Sequence, residues 1–244
     1  MKLSGNTVLI TGATSGIGLG LAKAFLEAGS QVIICGRRAE RLAQAGSLYA
    51  GLIPYEADLQ DPAQRESLCQ KVLRDHPGLN VLVNNAGIQL TSDLTRPVGL
   101  DRIRAEVEIN LVAPIHLTSL LSQALSSKQE AAVINISSGL AFVPLAFMPV
   151  YCATKAAMHS LTLSLRHQLR KTPVQVFEII PPSVDTELGH ERRPDKNSSH
   201  GGMPVETFTT EVMEALRRDQ LEAAIGDARN LREQGENWFA RLNR

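Results

Sequence analysis

Tyr151 and Lys155, four residues apart in the segment YCATK, are the residues of this chain best suited to acid–base chemistry. On a helix, a four-residue step sets two side chains one above the other on the same face. Free tyrosine has a pKa of about 10, and an ammonium about 4 Å away stabilises the phenolate by roughly 4 kcal/mol at an effective dielectric constant of about 20. Such a pair can exchange protons near neutral pH. Ser138, thirteen residues before the tyrosine, adds a hydroxyl that can donate to a developing alkoxide.

A glycine-rich segment, TGATSGIG at residues 11–18, follows the first apolar run of the chain. Gly12, Gly16 and Gly18 remove side chains where a strand passes into a helix, so a pyrophosphate can approach the N–H groups of the helix start. The alternative interpretation is a glycine-rich turn that simply ends the strand. A P-loop is excluded because no GK[ST] follows, and the lack of GxSxG weakens a hydrolase assignment. Together with the tyrosine and lysine, the turn predicts hydride transfer between a dinucleotide and a carbonyl.

The end of the second predicted strand, Cys35-Gly36-Arg37-Arg38, indicates which dinucleotide is used. NAD-binding folds usually place an acidic residue about 20 residues after the glycines, where it holds the ribose 2′-hydroxyl. This chain has Arg37 there and no acid to repel a 2′-phosphate. Arginine matches phosphate in charge and donor geometry. The segment therefore favours NADP(H) over NAD(H), and the alternative is two arginines at a solvated helix start.

The composition is that of an ordinary globular protein, with 43% apolar and 20% charged residues among 244. Lys and Arg total 25, as do Asp and Glu, so no net field favours nucleic acid or an anionic membrane as a partner. The three cysteines show no paired spacing, which argues against disulfides and predicts a reduced, cytoplasmic location. The six histidines are dispersed and predict no metal site. Residues 131–154 carry no charge, but prolines and polar residues interrupt them, which favours a strand, a loop and a helix start over a membrane span.

Short apolar runs alternate with helical stretches along the chain. Runs such as VIIC and AVINI are apolar at consecutive positions, as expected for strands covered by helices on both faces of a sheet. The predicted strands are 7–11, 31–35, 52–56, 81–84, 132–136, 174–180 and 222–225. The predicted helices are 17–28, 40–49, 62–75, 100–125, 153–170 and 206–217. The pattern predicts an α/β fold, a single Rossmann-type, doubly wound, seven-stranded parallel sheet with helices on both faces over residues 1–244, binding ligands at the carboxyl ends of the strands.

In order and spacing, TGATSGIG, NNAG, Asn110, Ser138 and Tyr151-x3-Lys155 resemble the short-chain dehydrogenase/reductase family over about residues 4–190. The resemblance implies that Tyr151 is the general acid/base and that Lys155 also holds the nicotinamide ribose. It implies that Ser138 steadies the substrate oxygen. It further implies that Asn110 anchors a proton relay through water, completing a catalytic set of four residues.

The same resemblance implies a set of cofactor-binding residues. These are Gly12, Thr14, Ser15, Gly16, Ile17, Gly18, Arg37, Asp58, Asn84, Ala86, Gly87, Tyr151, Lys155, Val184 and Thr186. Asp58 matches an acid near the adenine, and it is alternatively a helix N-cap. Pro182 stands where the family usually has glycine, and its fixed φ changes the backbone options beside the nicotinamide.

Pro114 gives a local reason for the asparagine of the relay. It has no N–H, so the carbonyl of Asn110, four residues earlier, loses its usual helical partner. That acceptor, at a kink in a long predicted helix, could hold a water connected to Lys155. The alternative is a proline that serves packing alone.

The loop between Ser138 and Tyr151 is apolar and faces the reacting carbon; its candidate pocket residues are Leu140, Phe142, Val143, Leu145, Phe147 and Met148. Polar residues 190–202, within a variable substrate loop of about 187–205, either close over this pocket as a lid or form a plain loop.

The helix after Lys155 is apolar on more than one side, and the family resemblance implies a homodimer or homotetramer. The expected function is an NADP(H)-dependent oxidoreductase acting on a small, apolar carbonyl or secondary alcohol. The alternative is a non-catalytic NADP(H)-binding redox sensor.

Overall fold

Seven parallel strands form the centre of the protein in a computed structural model that describes residues 1–189 and 199–244. They are β1 (Thr7–Thr11), β2 (Gln31–Gly36), β3 (Leu52–Glu56), β4 (Val81–Asn84), β5 (Ala131–Ile136), β6 (Val174–Ile180) and β7 (Glu222–Ala224). Their order is β3-β2-β1-β4-β5-β6-β7. The strand order reverses between β1 and β4, which is where doubly wound sheets bind their ligands. The predicted sheet is confirmed, with strand bounds within one residue of those expected.

Helices cover both faces of this sheet. They are α1 (Gly16–Glu27), α2 (Ala39–Leu48), α3 (Pro62–Asp75), α4 (Leu100–Val107), α5 (Ala113–Ser126), α6 (Pro149–Gln168), α7 (Val205–Arg217), α8 (Ala228–Gln234) and α9 (Phe239–Leu242). Side chains alternate along β1, so Val8 and Ile10 pack with Phe25 of α1 on one face. Leu9 packs with Leu117 of α5 on the other face. The two buried layers fix the sheet edge that carries the site.

The helix predicted over 100–125 is wrong in one respect, because a π-helical turn, Glu108–Val112, separates α4 from α5. Pro114 is the second residue of α5, directly after this turn, so the irregularity precedes the proline. The helix predicted from residue 153 begins at Pro149 instead, because proline suits the first helical position. Tyr151 and Lys155 therefore both lie within α6, one helical turn apart.

Two short helices near the C-terminus, α8 and α9, were not expected from the sequence, since neither is long enough to show a helical period. A 3₁₀ turn, Gly235–Trp238, joins them. Residues 190–198 of the predicted lid lie outside the described residues. Over the described ranges, no helix combines the length and apolar character needed to cross a membrane.

Candidate active site

A cleft of about 1410 Å³ lies at the carboxyl ends of the strands. Residues that follow each of the seven strands contribute to its lining. The predicted site residues found in the lining are Gly12, Thr14, Ser15, Gly16, Ile17, Gly18, Arg37, Asp58, Ala86, Gly87, Ser138, Tyr151, Lys155, Val184 and Thr186. Among the described residues, Asn84 and Asn110 are the predicted ones that form no part of this lining. The fold thus brings the glycine turn and the tyrosine–lysine pair to one cavity.

The glycine turn has the shape that a phosphate group requires. Gly12 and Gly16 have φ of +64° and +55°, the left-handed region that glycine tolerates. A Cβ on Gly12 would lie 2.7 Å from Cα of Ala86, and one on Gly18 would lie 2.5 Å from the Gly12 carbonyl oxygen. The absence of these side chains leaves the N-terminus of α1 open to the cleft, which fits the pyrophosphate of a dinucleotide.

The next part of the cleft lies beyond β2 and β3, where an adenosine ribose would lie in this fold. Gly36 is required here, because its Cβ would lie 2.8 Å from Cγ2 of Thr14. Arg37 follows and is exposed at the cleft. Asp58 accepts a hydrogen bond of 3.0 Å from the N–H of Gln60, so it shapes a turn. Its alternative role as a helix N-cap is wrong, since Asp61 caps α3.

The NNAG segment divides into a buried part and a part that faces the cleft. Asn84 is buried in the sheet, and its Nδ2 donates to Asn135 Oδ1 at 2.9 Å. Asn85 lines the cleft, and its Nδ2 donates to the carbonyl of Thr11 at 2.8 Å and to that of Gly12 at 3.2 Å. Asn85 thereby holds the glycine turn from across the switch point. Asn85 was not among the residues predicted from the sequence, although its position just past the end of a buried strand was the available signal.

Lys155 is buried, with its Nζ 5.7 Å from the centroid of the Tyr151 ring. The ammonium donates a hydrogen bond of 2.9 Å to the carbonyl of Ile136, the last residue of β5. Burial lowers the pKa of Lys155 from 10.5 to about 8. At neutral pH a positive charge is thus held in a largely water-free position beside the phenol. Such a charge favours the phenolate when Tyr151 gives up its proton.

Ser138 lies two residues beyond the end of β5 and lines the cleft. Its Oγ accepts a hydrogen bond of 3.1 Å from the N–H of Leu140, which fixes the side chain at the start of a short 3₁₀ turn, Gly139–Ala141. A serine hydroxyl also carries one proton to donate, and here it can donate to an oxygen in the cleft. The neighbouring Ser137 instead donates to the Ile179 carbonyl at 3.3 Å.

Asn110 lies in the π-helical turn, behind the wall of the cleft. Its Oδ1 accepts from the N–H of Ile88 at 2.9 Å, and its Nδ2 donates to the Ile88 carbonyl at 2.9 Å and to Oγ1 of Thr154 at 3.2 Å. A Cβ on Gly87 would lie 3.3 Å from Asn110 Oδ1 and 3.8 Å from Lys155 Nζ. The asparagine therefore joins the segment after β4 to α6, with the bare backbone of Gly87 between its amide and the lysine.

Two segments supply the apolar end of the cleft. From the predicted loop, Leu140, Leu145 and Met148 are in the lining, while Val143 is buried and Phe147 is about half exposed. The second segment is the C-terminal tail, residues 228–243, which contributes Leu231, Trp238 and Leu242. The tail was not predicted from the sequence, because its helices are too short to show a period, although its apolar residues were an available signal.

The tail is held against the loop by direct contacts. A Cβ on Gly139 would lie 2.6 Å from Cδ1 of Leu231, so the glycine permits a close approach. Asn243 donates to the carbonyl of Pro144 at 3.0 Å and accepts from the N–H of Ala146 at 2.6 Å. These bonds close the apolar end of the cleft next to Ser138.

The last predicted cofactor contacts lie in the segment after β6. Val184 pairs with Met203 in an isolated parallel bridge, and Asp185 N–H donates to the Met203 carbonyl at 2.9 Å. A Cβ on Gly16 would lie 3.2 Å from Cβ of Thr186. The segment is therefore packed against the start of α1. Pro182, the departure from the family pattern, also lines the cleft.

A sequence profile described as short chain dehydrogenase matches residues 6–197, which is well over half of the chain. The chain belongs to the short-chain dehydrogenase family. Among its relatives in this family is the oxidoreductase DltE of Bacillus subtilis (strain 168), 44% identical over 245 residues. That match covers 99% of this chain and 96% of DltE.

Solved structures agree with this family assignment. A short chain dehydrogenase from Burkholderia cenocepacia J2315, in complex with NADP, has a TM-score of 0.84 and 27% identity, with 99% of each chain covered. A short chain dehydrogenase/reductase from Burkholderia phymatum, in complex with NAD, has a TM-score of 0.86 over 100% of this chain and 97% of its own. At 20% identity the second likeness shows the fold alone. The predicted family and the predicted Rossmann-type fold are both confirmed.

Proposed function

We propose that this short-chain dehydrogenase is an NADP(H)-dependent oxidoreductase that transfers hydride between the nicotinamide and a small, apolar carbonyl or secondary alcohol. One observation carries the proposal. The Tyr151–Lys155 pair and Ser138 open into the same cleft as the glycine turn that fits a dinucleotide phosphate. A proton donor and a hydride carrier are the two parts that carbonyl reduction needs.

Each residue has a role that its surroundings support. Ser138 donates to the substrate oxygen and holds the carbonyl in place. Tyr151 gives the proton as the carbonyl becomes an alcohol, and takes it back in the reverse direction. Lys155 keeps a buried positive charge beside the phenol and favours its ionised form. NADP(H), when bound, supplies or accepts the hydride. Asn110 positions α6 through Thr154 and supports the relay of protons toward Lys155.

The cofactor preference rests on Arg37. It lies exposed at the cleft just past β2, where a ribose 2′-phosphate would approach, and the neighbouring Arg38 adds a second positive charge. Guanidinium groups recognise phosphate with paired, charge-assisted hydrogen bonds. The relative from Burkholderia cenocepacia binds NADP, in line with this preference.

The substrate class rests on the apolar end of the cleft. Leu140, Leu145 and Met148 line the cleft together with Leu231 and Trp238, and Ser138 and Tyr151 open into the same cleft. Apolar walls around a few polar groups are typical of small-molecule sites. A carbonyl or secondary alcohol with apolar substituents suits this surface.

A coupled screen tests the proposal. NADPH and NADH oxidation is followed with aldehydes and ketones of graded size, and reduction of NADP⁺ and NAD⁺ with the matching alcohols. We expect turnover of apolar compounds with NADPH. Activity confined to highly charged substrates would contradict the substrate class, and tighter binding of NADH would contradict the cofactor preference. Tight NADPH binding without turnover of any compound would favour a redox sensor.

We also propose that residues 1–244 work as one domain, in a reducing cytoplasm, as a homodimer or homotetramer. Val112, Ile115 and Leu163, on the π-helical turn, α5 and α6, have 36%, 43% and 46% of their surface exposed. Apolar side chains at these positions suit an interface between subunits. Cys35 and Cys69 are unpaired, and burial raises the pKa of each thiol to about 12, which suits a reducing compartment. Light scattering coupled to gel filtration gives the subunit number; a monomer would contradict the assembly.

A further inference from the structure

Three acid–base side chains meet behind the loop that follows Ser138, outside the cleft. They are His159 of α6, Glu178 of β6 and Glu222 of β7. Glu178 and Glu222 are register partners on adjacent parallel strands. One ligand atom from each of the three residues lies within 4.8 Å of the others. These residues are far apart in the sequence, so their meeting is a product of the fold.

Glu178 is the unusual member of this cluster. Its side chain is 0% exposed, and one oxygen, Oε2, lies 2.7 Å from Nδ1 of His159. The other oxygen, Oε1, is buried and has no hydrogen-bond partner among the described residues. A buried carboxylate oxygen without a donor is strongly unfavourable. The neighbouring side chains therefore leave one oxygen of this carboxylate without a positive partner.

We propose that His159, Glu178 and Glu222 bind a divalent transition-metal ion, Zn²⁺ above others. Metal–ligand distances of about 2.0–2.2 Å in a tetrahedral site place ligand atoms roughly 3.3–3.6 Å apart, so the cluster needs only small side-chain shifts. Two carboxylates balance the charge of the ion, while the imidazole binds it in its neutral form. Three protein ligands leave the fourth position for water. The imidazole nitrogen selects against Mg²⁺ and Ca²⁺, which prefer oxygen ligands.

Arg232 of α8 supports the site from outside. Its Nε donates to Oε1 of Glu222 at 2.9 Å, which holds the carboxylate in place, as partners of metal ligands commonly do. Its positive charge also lowers the affinity of a nearby cation, so we expect binding on the order of micromolar rather than nanomolar. His159 and Glu222 have 20% and 29% of their side-chain surface exposed, which gives the ion a path from solvent.

The cluster contacts the two segments that supply the apolar end of the cleft, namely the loop after Ser138 and the C-terminal tail. The Phe142 ring packs edge-on against His159 at 4.8 Å between centroids and lies 4.7 Å from the Arg232 guanidinium carbon. Phe142 belongs to the loop after Ser138, and Arg232 to the tail that lines the cleft. A metal at this cluster would fix His159, against which Phe142 of the loop packs, and Glu222, which accepts from Arg232 of the tail, without touching the substrate.

The full chain is first treated with EDTA and dialysed. Calorimetric titration with zinc sulfate and with manganese chloride then tests the site. We expect one equivalent of zinc and a higher melting temperature. Magnesium chloride at about 1 mM should have no effect. Glu178→Gln removes the charge at nearly constant shape and should weaken zinc binding by at least about 10-fold. The matched control is Glu211→Gln, which removes a carboxylate paired with Arg229 at 2.8 Å and should leave the affinity unchanged.

His159→Gln provides a second variant should Glu178→Gln fail to fold, and circular dichroism verifies folding of each. Lack of zinc binding by the wild-type protein at millimolar metal would overturn the proposal. Equal affinity in the wild-type and variant proteins would also overturn it, because zinc would then bind elsewhere. Both measurements are independent of turnover, so they are separable from the proposed oxidoreductase function.

Discussion

The Lys155 ammonium donates a 2.9 Å hydrogen bond to the carbonyl of Ile136, the residue at which β5 ends. This bond ties the catalytic face of α6 to the strand that presents Ser138, two residues further on. It also draws a charged group into the protein interior, where burial lowers the pKa of Lys155 to about 8. The arrangement that helps proton transfer therefore opposes folding at neutral pH.

Lys155→Met should change how stability depends on pH. The folded protein releases the Lys155 proton near pH 8, whereas the unfolded chain keeps it up to the ordinary pKa of 10.5. Between these values the unfolded state binds more protons, so raising the pH stabilises the wild-type protein relative to the variant. We expect a gain of about 3 kcal/mol across that window, with no further change below pH 8. Urea denaturation of both apoproteins measures it, and parallel pH profiles would contradict it.

Tyr151→Phe should abolish most turnover while leaving cofactor binding nearly intact. Loss of a positioned general acid lowers kcat by about 10²–10⁴-fold. The affinity for NADPH should change by less than about fivefold, because at most one hydrogen bond is lost. Tyr55→Phe is the matched control, since its hydroxyl bonds Asp75 at 2.8 Å on the surface. Stopped-flow and steady-state assays separate the two effects. A Tyr151→Phe enzyme with near wild-type kcat would sink the assigned role.

Arg37→Asp should shift cofactor preference toward NADH. The variant loses charge-assisted hydrogen bonds worth about 1.5–3 kcal/mol to a 2′-phosphate and adds repulsion. We expect the NADPH-to-NADH ratio of kcat/KM to fall by at least about 100-fold. Arg104→Asp, at an exposed position of α4, makes the same substitution away from the cleft and should leave the ratio unchanged. An unaltered ratio in Arg37→Asp would place phosphate recognition elsewhere.

Gly18→Ala should destabilise the glycine turn. The added methyl would lie 2.4 Å from Nδ2 of Asn85 and 2.5 Å from the Gly12 carbonyl, so backbone must move. We expect a loss of about 1–3 kcal/mol in the free energy of unfolding, together with weaker NADPH binding. Gly46→Ala in α2 has open space around the methyl and should stabilise the protein by about 0.5–1 kcal/mol. Equal behaviour of the two variants would contradict the close-packed turn.

The sheet could be predicted because most of its strands are continuously apolar and most of its helices are long enough to show a period. The location of the motif residues could then be predicted as well, since parallel strands place their carboxyl ends on one edge of the sheet. The roles of adjacent residues of the same type were harder to predict. Asn84 and Asn85 differ only in which side of a strand end each one faces. Local sequence carries no information about that choice when the strand itself has ended.

Contacts between distant segments that lie outside the family motifs could not be predicted. The tail with Leu231 and Trp238 reaches the cleft only because β7 joins the sheet beside β6. His159 appears in the sequence as one dispersed histidine, yet the register of β6 and β7 places Glu178 and Glu222 next to it. Such sites depend on strand order, which no short motif encodes.

The π-helical turn, Glu108–Val112, determines how α4 is rotated about the helix axis relative to α5, the two halves of one long helix. Each residue of a helix turns the chain by about 100°, so a single extra residue rotates the half before it by that angle relative to the half after it. With the extra residue in place, Glu106 accepts from the N–H of Leu90 at 2.9 Å while Leu117 of α5 still faces the sheet. In the gene, the loss of one codon here would pull Asn110 away from Ile88 and would also displace Ile109, a residue of the same turn that lines the cleft.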